Sequence, residues 1–116
     1  MDARKIHAAT LADGGSSTDL LGSEPVKGYM VSIYQAKGLI VEPEDFTPEL
    51  VSEYVANHVE ILGREDHYLG TWTDAGNVYL DISLNVADLI EALAIGRRHR
   101  QIAIYSVEEQ ESIKVI

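Results

Sequence analysis

The chain of 116 residues contains no cysteine, which excludes disulfide bonds and thiolate metal sites. It also has no apolar run that approaches the ~20 residues of a membrane-spanning helix. The first 24 residues carry Arg4 and Lys5 without a sustained apolar stretch after them, unlike a secretory signal. These absences predict a soluble, cytoplasmic protein with no membrane association, and nothing in the sequence calls for a cofactor.

Basic charge is scarce. The chain has 19 acidic and 9 basic side chains, and its formal net charge is −10. Between Glu42 and Asp66 there are eight acids and a single base, Arg64. Such a surface repels phosphates, so we expect no direct nucleic-acid binding. Two interpretations stay open: the acids provide solubility, or they imitate the charge of DNA and occupy a basic site on another protein.

Length and a hydrophobic content of 46% fit one folded domain. Residues 11–28 are rich in Gly, Ser, Asp and Thr, a composition typical of loops. The sequence therefore predicts a flexible N-terminal arm at residues 1–24, with a short edge strand around residues 18–21 as the alternative. A single α+β domain is expected at residues 25–116.

Two segments show helical periodicity. Apolar side chains recur at spacings of three and four up to Leu62, and Thr47 and Gly63 are suitable cap and stop residues, so we expect a helix over about residues 48–62. A second apolar stripe follows Asn85, which is a candidate cap for a second helix.

The remaining segments are β-rich and separated by turn residues, which predicts three hairpins. Their strands are expected near residues 29–34, 39–41, 68–73, 77–84, 101–107 and 112–116. The order is ββ-α-ββ-α-ββ. Two amphipathic helices bury their stripes when they pack on one face of a mainly antiparallel sheet, so the predicted class is α+β.

The central hairpin holds the only Trp of the chain, and its register decides where that side chain lies. A two-residue loop at residues 75–76 places Trp72 opposite Tyr79 on a face separate from the aliphatic side chains. A three-residue loop places Trp72 opposite Leu80, among the aliphatic residues. Trp72 is then either a core or half-buried packing residue, or part of an aromatic contact patch.

Seven residues are candidates for binding. The two-residue register gathers four of them on one face: Tyr68, Trp72, Tyr79 and Asp81. The other three form the only basic cluster: Arg97, Arg98 and Arg100. That cluster is interpreted as charge at a helix C-terminus, as a contact to the acidic helix of a second copy, or as a site for a phosphate-bearing ligand.

Catalytic signatures are absent: the chain has no HExxH, no GxSxG and no P-loop lysine. The densest cluster of potential metal ligands is Glu65-Asp66-His67, for which a solvated loop is the favoured interpretation, and no metal site is predicted. We therefore expect a non-enzymatic accessory protein that binds a protein partner or itself. The alternatives are a DNA-mimic inhibitor and a small enzyme or ligand-binding domain that uses Asp81, His67 and Tyr79.

Several stretches resemble small uncharacterised proteins of actinobacteria and of their phages and mobile elements. They are GYMVS at residues 28–32, FTPE at 46–49, YLGTW at 68–72, NVYLDIS at 77–83 and AIY at 103–105. The resemblance implies a phage or mobile-element setting and no particular activity. The five residues 70–74 are also similar to a short stretch of acidic antirestriction proteins that mimic DNA, but five residues are too few to carry a function over.

Overall fold

A computed structural model describes the whole chain, residues 1–116. Seven strands form one antiparallel sheet: β1 (Gly15–Thr18), β2 (Tyr29–Ser32), β3 (Leu39–Val41), β4 (His67–Asp74), β5 (Asn77–Val86), β6 (Ala103–Ser106) and β7 (Glu111–Lys114). Four α-helices accompany it: α1 (Ala3–Asp13), α2 (Pro48–Asn57), α3 (Val59–Leu62) and α4 (Leu89–Arg98). The predicted α+β class with a mainly antiparallel sheet is confirmed.

The ten-residue strand β5 is the centre of the sheet. Strand β4 pairs along one edge of it, whereas β3 and β2 share the other edge in succession. Strand β3 pairs with Val78–Leu80, and β2 pairs with Ser83–Val86. Asp81 and Ile82 therefore lie between the two segments of β5 that these neighbours cover. Strand β1 extends the sheet beyond β4, and β6 and β7 extend it beyond β2.

Two of the three predicted hairpins are confirmed, β4–β5 and β6–β7. The first one is wrong, because β2 and β3 do not pair with each other. A single 3₁₀ turn at Gln35–Lys37 separates them, and each hydrogen-bonds to β5 instead. The turn residues between β2 and β3 predicted that these strands pair with each other. Each of them pairs with the long edge of β5 instead.

The N-terminal segment is part of the domain and not a separate arm. The Asp2 carboxylate caps α1 by accepting from the backbone N–H of Arg4 and Lys5. Gly14 (φ +83°) ends the helix in the left-handed conformation and turns the chain directly into β1, which pairs with β4. Ile6 of this helix is buried in the core, so the first residues are held by the same packing as the rest of the domain.

Helix boundaries differ from the prediction at two places. Thr47 caps α2 as expected, accepting from the Leu50 N–H at 3.1 Å, but the helix breaks at His58 (φ −126°) and α3 follows. The later helix starts after Asp88, whose side chain accepts from the Glu91 N–H, and not after Asn85. Asn85 belongs to β5, because sheet pairing continues to the end of that strand.

All helices cover the same face of the sheet. The larger core cluster joins α1, α2 and α3 to β4 and β5, and it includes Ile6, Phe46, Val51, Tyr54, Leu62, Leu69, Val78, Leu80 and Ile82. The smaller cluster joins α4 to β2 and β6 through Val31, Val86, Ala92, Ile104 and Val115. Gly96 allows the close approach of α4, since a Cβ there would lie 3.1 Å from Ile104 Cγ2. The opposite face of the sheet, called the open face below, carries no helix.

Candidate functional site

A groove of about 730 Å³ runs over the open face of the sheet. Side chains of β2, β4 and β5 form its floor, among them Ser32, Trp72 and Asp81, and Tyr105 of β6 lies on one side. Glu24 and Pro25, from the segment between β1 and β2, contribute to its wall. The groove therefore brings together residues that are far apart in the chain.

The β4–β5 hairpin has the two-residue loop, Ala75-Gly76, and this register sets the composition of the open face. Both loop residues have positive φ (+49° and +83°), which is the geometry of a type I′ turn. Trp72 lies opposite Tyr79, and the two rings stack with centroids 5.3 Å apart and planes 1° from parallel. The Trp72 side chain is 39% exposed, so it is a partly exposed member of an aromatic stack and not a residue of the apolar core.

Asp81 is the most unusual polar residue of the groove. Its side chain is only 8% exposed, and Oδ2 accepts a hydrogen bond from Ser32 Oγ at 2.8 Å. The other carboxylate oxygen, Oδ1, is buried and has no hydrogen-bond partner. Buried polar atoms nearly always have a partner, so an unpaired carboxylate oxygen in a groove wall points to a donor supplied from outside the chain.

Gly70 makes the room beside this oxygen. It lies opposite Asp81 in the β4–β5 register, and a Cβ at this position would be 2.7 Å from Asp81 Oδ1. The same Cβ would be 3.9 Å from Cζ3 of the Trp72 indole, so the indole edge and the carboxylate flank the same small space.

Burial changes the acidity of Asp81. Desolvation raises the pKa of its carboxyl from 3.8 to about 6, against the opposing effect of the Ser32 and Ser83 hydroxyls. Because burial disfavours its charged form, a carboxylate that lines a groove in this way is a candidate functional group.

The groove carries charge of one sign. Its charged lining residues are the three acids Asp13, Glu24 and Asp81, and it is lined by no Lys, Arg or His. Phosphates and other anions are repelled from such a surface, whereas cations are attracted to it. The available chemistry is one buried carboxylate, several hydroxyl groups and an aromatic platform, which is a set suited to holding a ligand.

The structure brings together four of the seven candidate residues and leaves three apart. Trp72 and Asp81 line the groove, and Tyr79 supports the Trp72 ring on the same face. Tyr68 shares this face opposite Ser83 but does not line the groove, and its pKa is raised by burial first and then by the carboxylates of Asp19 and Asp66.

The basic cluster lies away from the groove. Arg97 and Arg98 are exposed in the last turn of α4, and Arg100 is exposed just after it. Because α4 packs on the helix-covered face, none of the three lines the groove. The cluster therefore contributes charge to the C-terminal end of this helix and is no part of the groove.

His67 does not join Asp81 in a catalytic arrangement. It lies opposite Leu84 on the helix-covered face, whereas Asp81 points to the open face. Its Nε2 is 2.7 Å from the Tyr34 hydroxyl and its Nδ1 is 2.7 Å from the Glu65 carbonyl oxygen. The alternative that combined Asp81 with His67 in one site is therefore wrong.

Several groove residues had no signal in the sequence. Ser32 and Tyr105 reach the groove only because β2 pairs with β5 and β6 pairs with β2. Gly70 lies opposite Asp81 in the hairpin register, and its importance follows from the distance to Oδ1. The one available hint was the alternation along β5, where Asp81 and Ser83 place polar groups between the apolar residues Leu80, Ile82 and Leu84.

Comparison of the chain with protein-family models, with curated proteins and with solved structures finds no match. No helix of the fold combines the length and the apolar character needed to cross a bilayer. No group of three or more His, Asp or Glu side chains is placed to hold a metal ion. Function is therefore argued from the groove itself.

Proposed function

We propose that this chain is a non-enzymatic, acidic interaction protein that binds a protein partner on the open face of its sheet. The observation that carries the proposal is the Trp72–Tyr79 stack, which is partly exposed beside the groove on the face that no helix covers. Trp and Tyr are the residue types most enriched at energetically important positions of protein interfaces.

The shape of the site supports binding of a chain segment. Around the strands of the open face, the groove is lined by Glu24 and Pro25 and by residues of β6 and β7. Large aromatic side chains fixed on a rigid strand provide contact area at little cost in conformational entropy. Since the two rings are already stacked, a partner would meet a preformed surface.

The chemistry of the groove favours binding over catalysis. Asp81 is the one strongly perturbed acid among its lining residues, and no Lys, Arg or His lies in the lining to act with it. Acid–base and nucleophilic mechanisms usually need a second group within hydrogen-bond distance of the first. The hydroxyl of Ser32 donates to Asp81 Oδ2 and is engaged as a donor to the carboxylate.

The cellular setting is part of the same proposal. The resemblance to proteins of actinobacteria, their phages and mobile elements supports an accessory role in such a system. A cysteine-free chain is compatible with the cytoplasm, where we place the protein.

A selection of displayed random peptides on the immobilised chain tests the binding face. Trp72→Ala and Ile90→Ala serve as parallel targets, because Ile90 is 74% exposed on α4, on the other side of the sheet. We expect peptides that bind the unmodified chain and Ile90→Ala but not Trp72→Ala. A selection that enriches no peptide, or peptides that bind Trp72→Ala equally well, would contradict the proposal.

The DNA-mimic alternative concerns a different surface. The eight acidic side chains between Glu42 and Asp66 are all exposed, on segments that lie on the helix-covered side or at its border. A mimic acting through them would compete with DNA for a basic protein in a salt-sensitive way. That competition would weaken when Glu49 and Glu53 of α2 become Gln and would be unaffected by Trp72→Ala.

A further inference from the structure

We infer that the groove, which Trp72 and Asp81 both line, receives an arginine side chain of the bound partner, whose guanidinium group donates to the Asp81 carboxylate. The inference rests on the proposed function and names the chemistry of the partner. Its three supports are the charge of the groove, the unpaired oxygen of Asp81, and the space above Gly70.

The charge of the groove selects a cation. Asp13, Glu24 and Asp81 line it without any basic side chain, inside a protein whose net charge is −10. A cationic side chain that enters is attracted both by the groove and by the long-range field of the whole protein. An acidic or phosphorylated segment would meet the opposite force.

The unpaired oxygen requires a hydrogen-bond donor. Asp81 Oδ1 has no partner in the chain, although its side chain is more than nine-tenths buried and belongs to the groove wall. The Cβ–Cγ torsion of aspartate is soft, so a donor that enters the groove meets a carboxylate whose orientation is adjustable. A hydrogen bond between this oxygen and a cationic donor is of the strong, charge-assisted kind.

The space above Gly70 favours a flat donor group. The absence of a side chain there lets Asp81 Oδ1 and the Trp72 ring edge lie close together over the strand backbone. A guanidinium group is planar, carries five N–H donors in a fixed fork and is less strongly hydrated than an ammonium group. Arginine therefore offers several donors to the carboxylate from one flat group, whereas lysine offers a compact and strongly hydrated charge.

The intrinsic fluorescence of the protein offers a direct measurement. Trp72 is the only tryptophan of the chain, so its emission reports occupancy of the groove. The probes are N-acetyl-arginine amide, its neutral isostere N-acetyl-citrulline amide, and N-acetyl-lysine amide. We expect saturable binding of the arginine probe in the millimolar range and about tenfold weaker binding of citrulline, which lacks the charge. Lysine should fall between them.

Two variants and one matched control locate the interaction. Asp81→Asn removes the charge with little change of shape, and Gly70→Ala places a methyl group in the space beside Oδ1. Both are expected to weaken arginine binding about tenfold, and Asp81→Asn should also abolish the preference over citrulline. Asp74→Asn removes the same charge from an exposed position of the same hairpin and should leave the affinity unchanged. Near-UV circular dichroism verifies that each variant is folded.

Equal affinity for arginine and citrulline, or equal effects of Asp74→Asn and Asp81→Asn, would overturn the inference. Lysine binding as tight as arginine would overturn the guanidinium assignment. Failure of the inference is separable from failure of the proposed function. Displayed peptides that bind the open face without arginine remove only the inference, whereas a selection that enriches no open-face peptide removes the proposed function.

Discussion

The two faces of the sheet are built from the same strands and differ in almost every other property. Along β5, Val78, Leu80 and Ile82 point to the helices and are at most 1% exposed. The two residues between them, Tyr79 and Asp81, point to the open face and carry an aromatic hydroxyl and a carboxylate. One face is closed by four helices, whereas the other is covered by no helix and carries the groove.

The difference between the two faces assigns stability of the fold to the helix-covered face and recognition of a partner to the open face. Apolar area removed from water stabilises the fold roughly in proportion to its size, and nearly all of it lies on the helix-covered face. The open face holds a buried carboxylate with an unpaired oxygen and a partly exposed tryptophan, both of which are unfavourable for an isolated chain. Mutations should therefore affect folding on one face and binding on the other.

The largest effect is expected at Ile82, which is fully buried between β4 and the helices. Ile82→Ala should lower the free energy of unfolding by about 2–5 kcal/mol, because it leaves a cavity in the larger core cluster. Ile40→Ala is the control, since Ile40 is 60% exposed on the open face, and it should change stability by less than about 1 kcal/mol. Urea unfolding measures both, and similar losses would contradict the division of the faces.

The next effect concerns the pH dependence caused by Asp81. With a pKa of about 6 in the folded protein against 3.8 when unperturbed, the folded state binds this proton more tightly than the unfolded chain. The contribution of Asp81 to the free energy of unfolding is therefore highest below about pH 4 and falls as the pH rises toward 6, by up to about 3 kcal/mol.

Asp81→Asn isolates this group from the ionisable side chains near it: Tyr68 and Tyr79 on the same face, Asp13 and Glu24 in the groove lining, and Tyr54, whose pKa is raised by burial and then by the Asp81 charge. We expect the variant to gain stability relative to the unmodified chain between about pH 4 and pH 7. Unfolding curves recorded in urea at both pH values provide the measurement. A difference between the two proteins that does not change with pH would show that Asp81 has an ordinary pKa.

A smaller loss is expected from Trp72→Ala. The side chain is 39% exposed and its main contact is the stack with Tyr79, so the change should lower stability by about 1–2 kcal/mol. Thermal unfolding followed by far-UV circular dichroism measures it. A loss as large as that of Ile82→Ala would mean that Trp72 supports the core, and the open face would then not be a separate surface.

The smallest effect should come from the hairpin loop that sets the two faces. Ala75 adopts φ +49°, a conformation that Asn accepts more readily, so Ala75→Asn should raise stability by about 0.5 kcal/mol. Gly76→Ala is the opposite change at φ +83° and should lower it by about 1 kcal/mol. If both substitutions are neutral in urea unfolding, the loop does not fix the register.

Much of the fold was predictable from local patterns. Thr47 with Pro48 specified the start of α2, and the apolar spacing that follows specified its buried face. The turn residues after Asp74 specified the central hairpin, and side-chain alternation restricted Trp72 to two possible faces. The N-terminal helix was not predicted, because its buried face contains Thr10 beside Ile6. A buried threonine does not add to the apolar periodicity from which helices are recognised.

The sequence alone therefore defined the class of fold, the central hairpin and the acidic character, because these depend on residues close together in the chain. Pairing of β2 and β3 with β5, and not with each other, depended on which edges bury the most surface, a property of the whole chain. The groove has the same origin: Ser32 reaches Asp81 across 49 positions of sequence, and Tyr105 arrives through β2. A carboxylate becomes buried and unpaired only when such distant strands assemble around it.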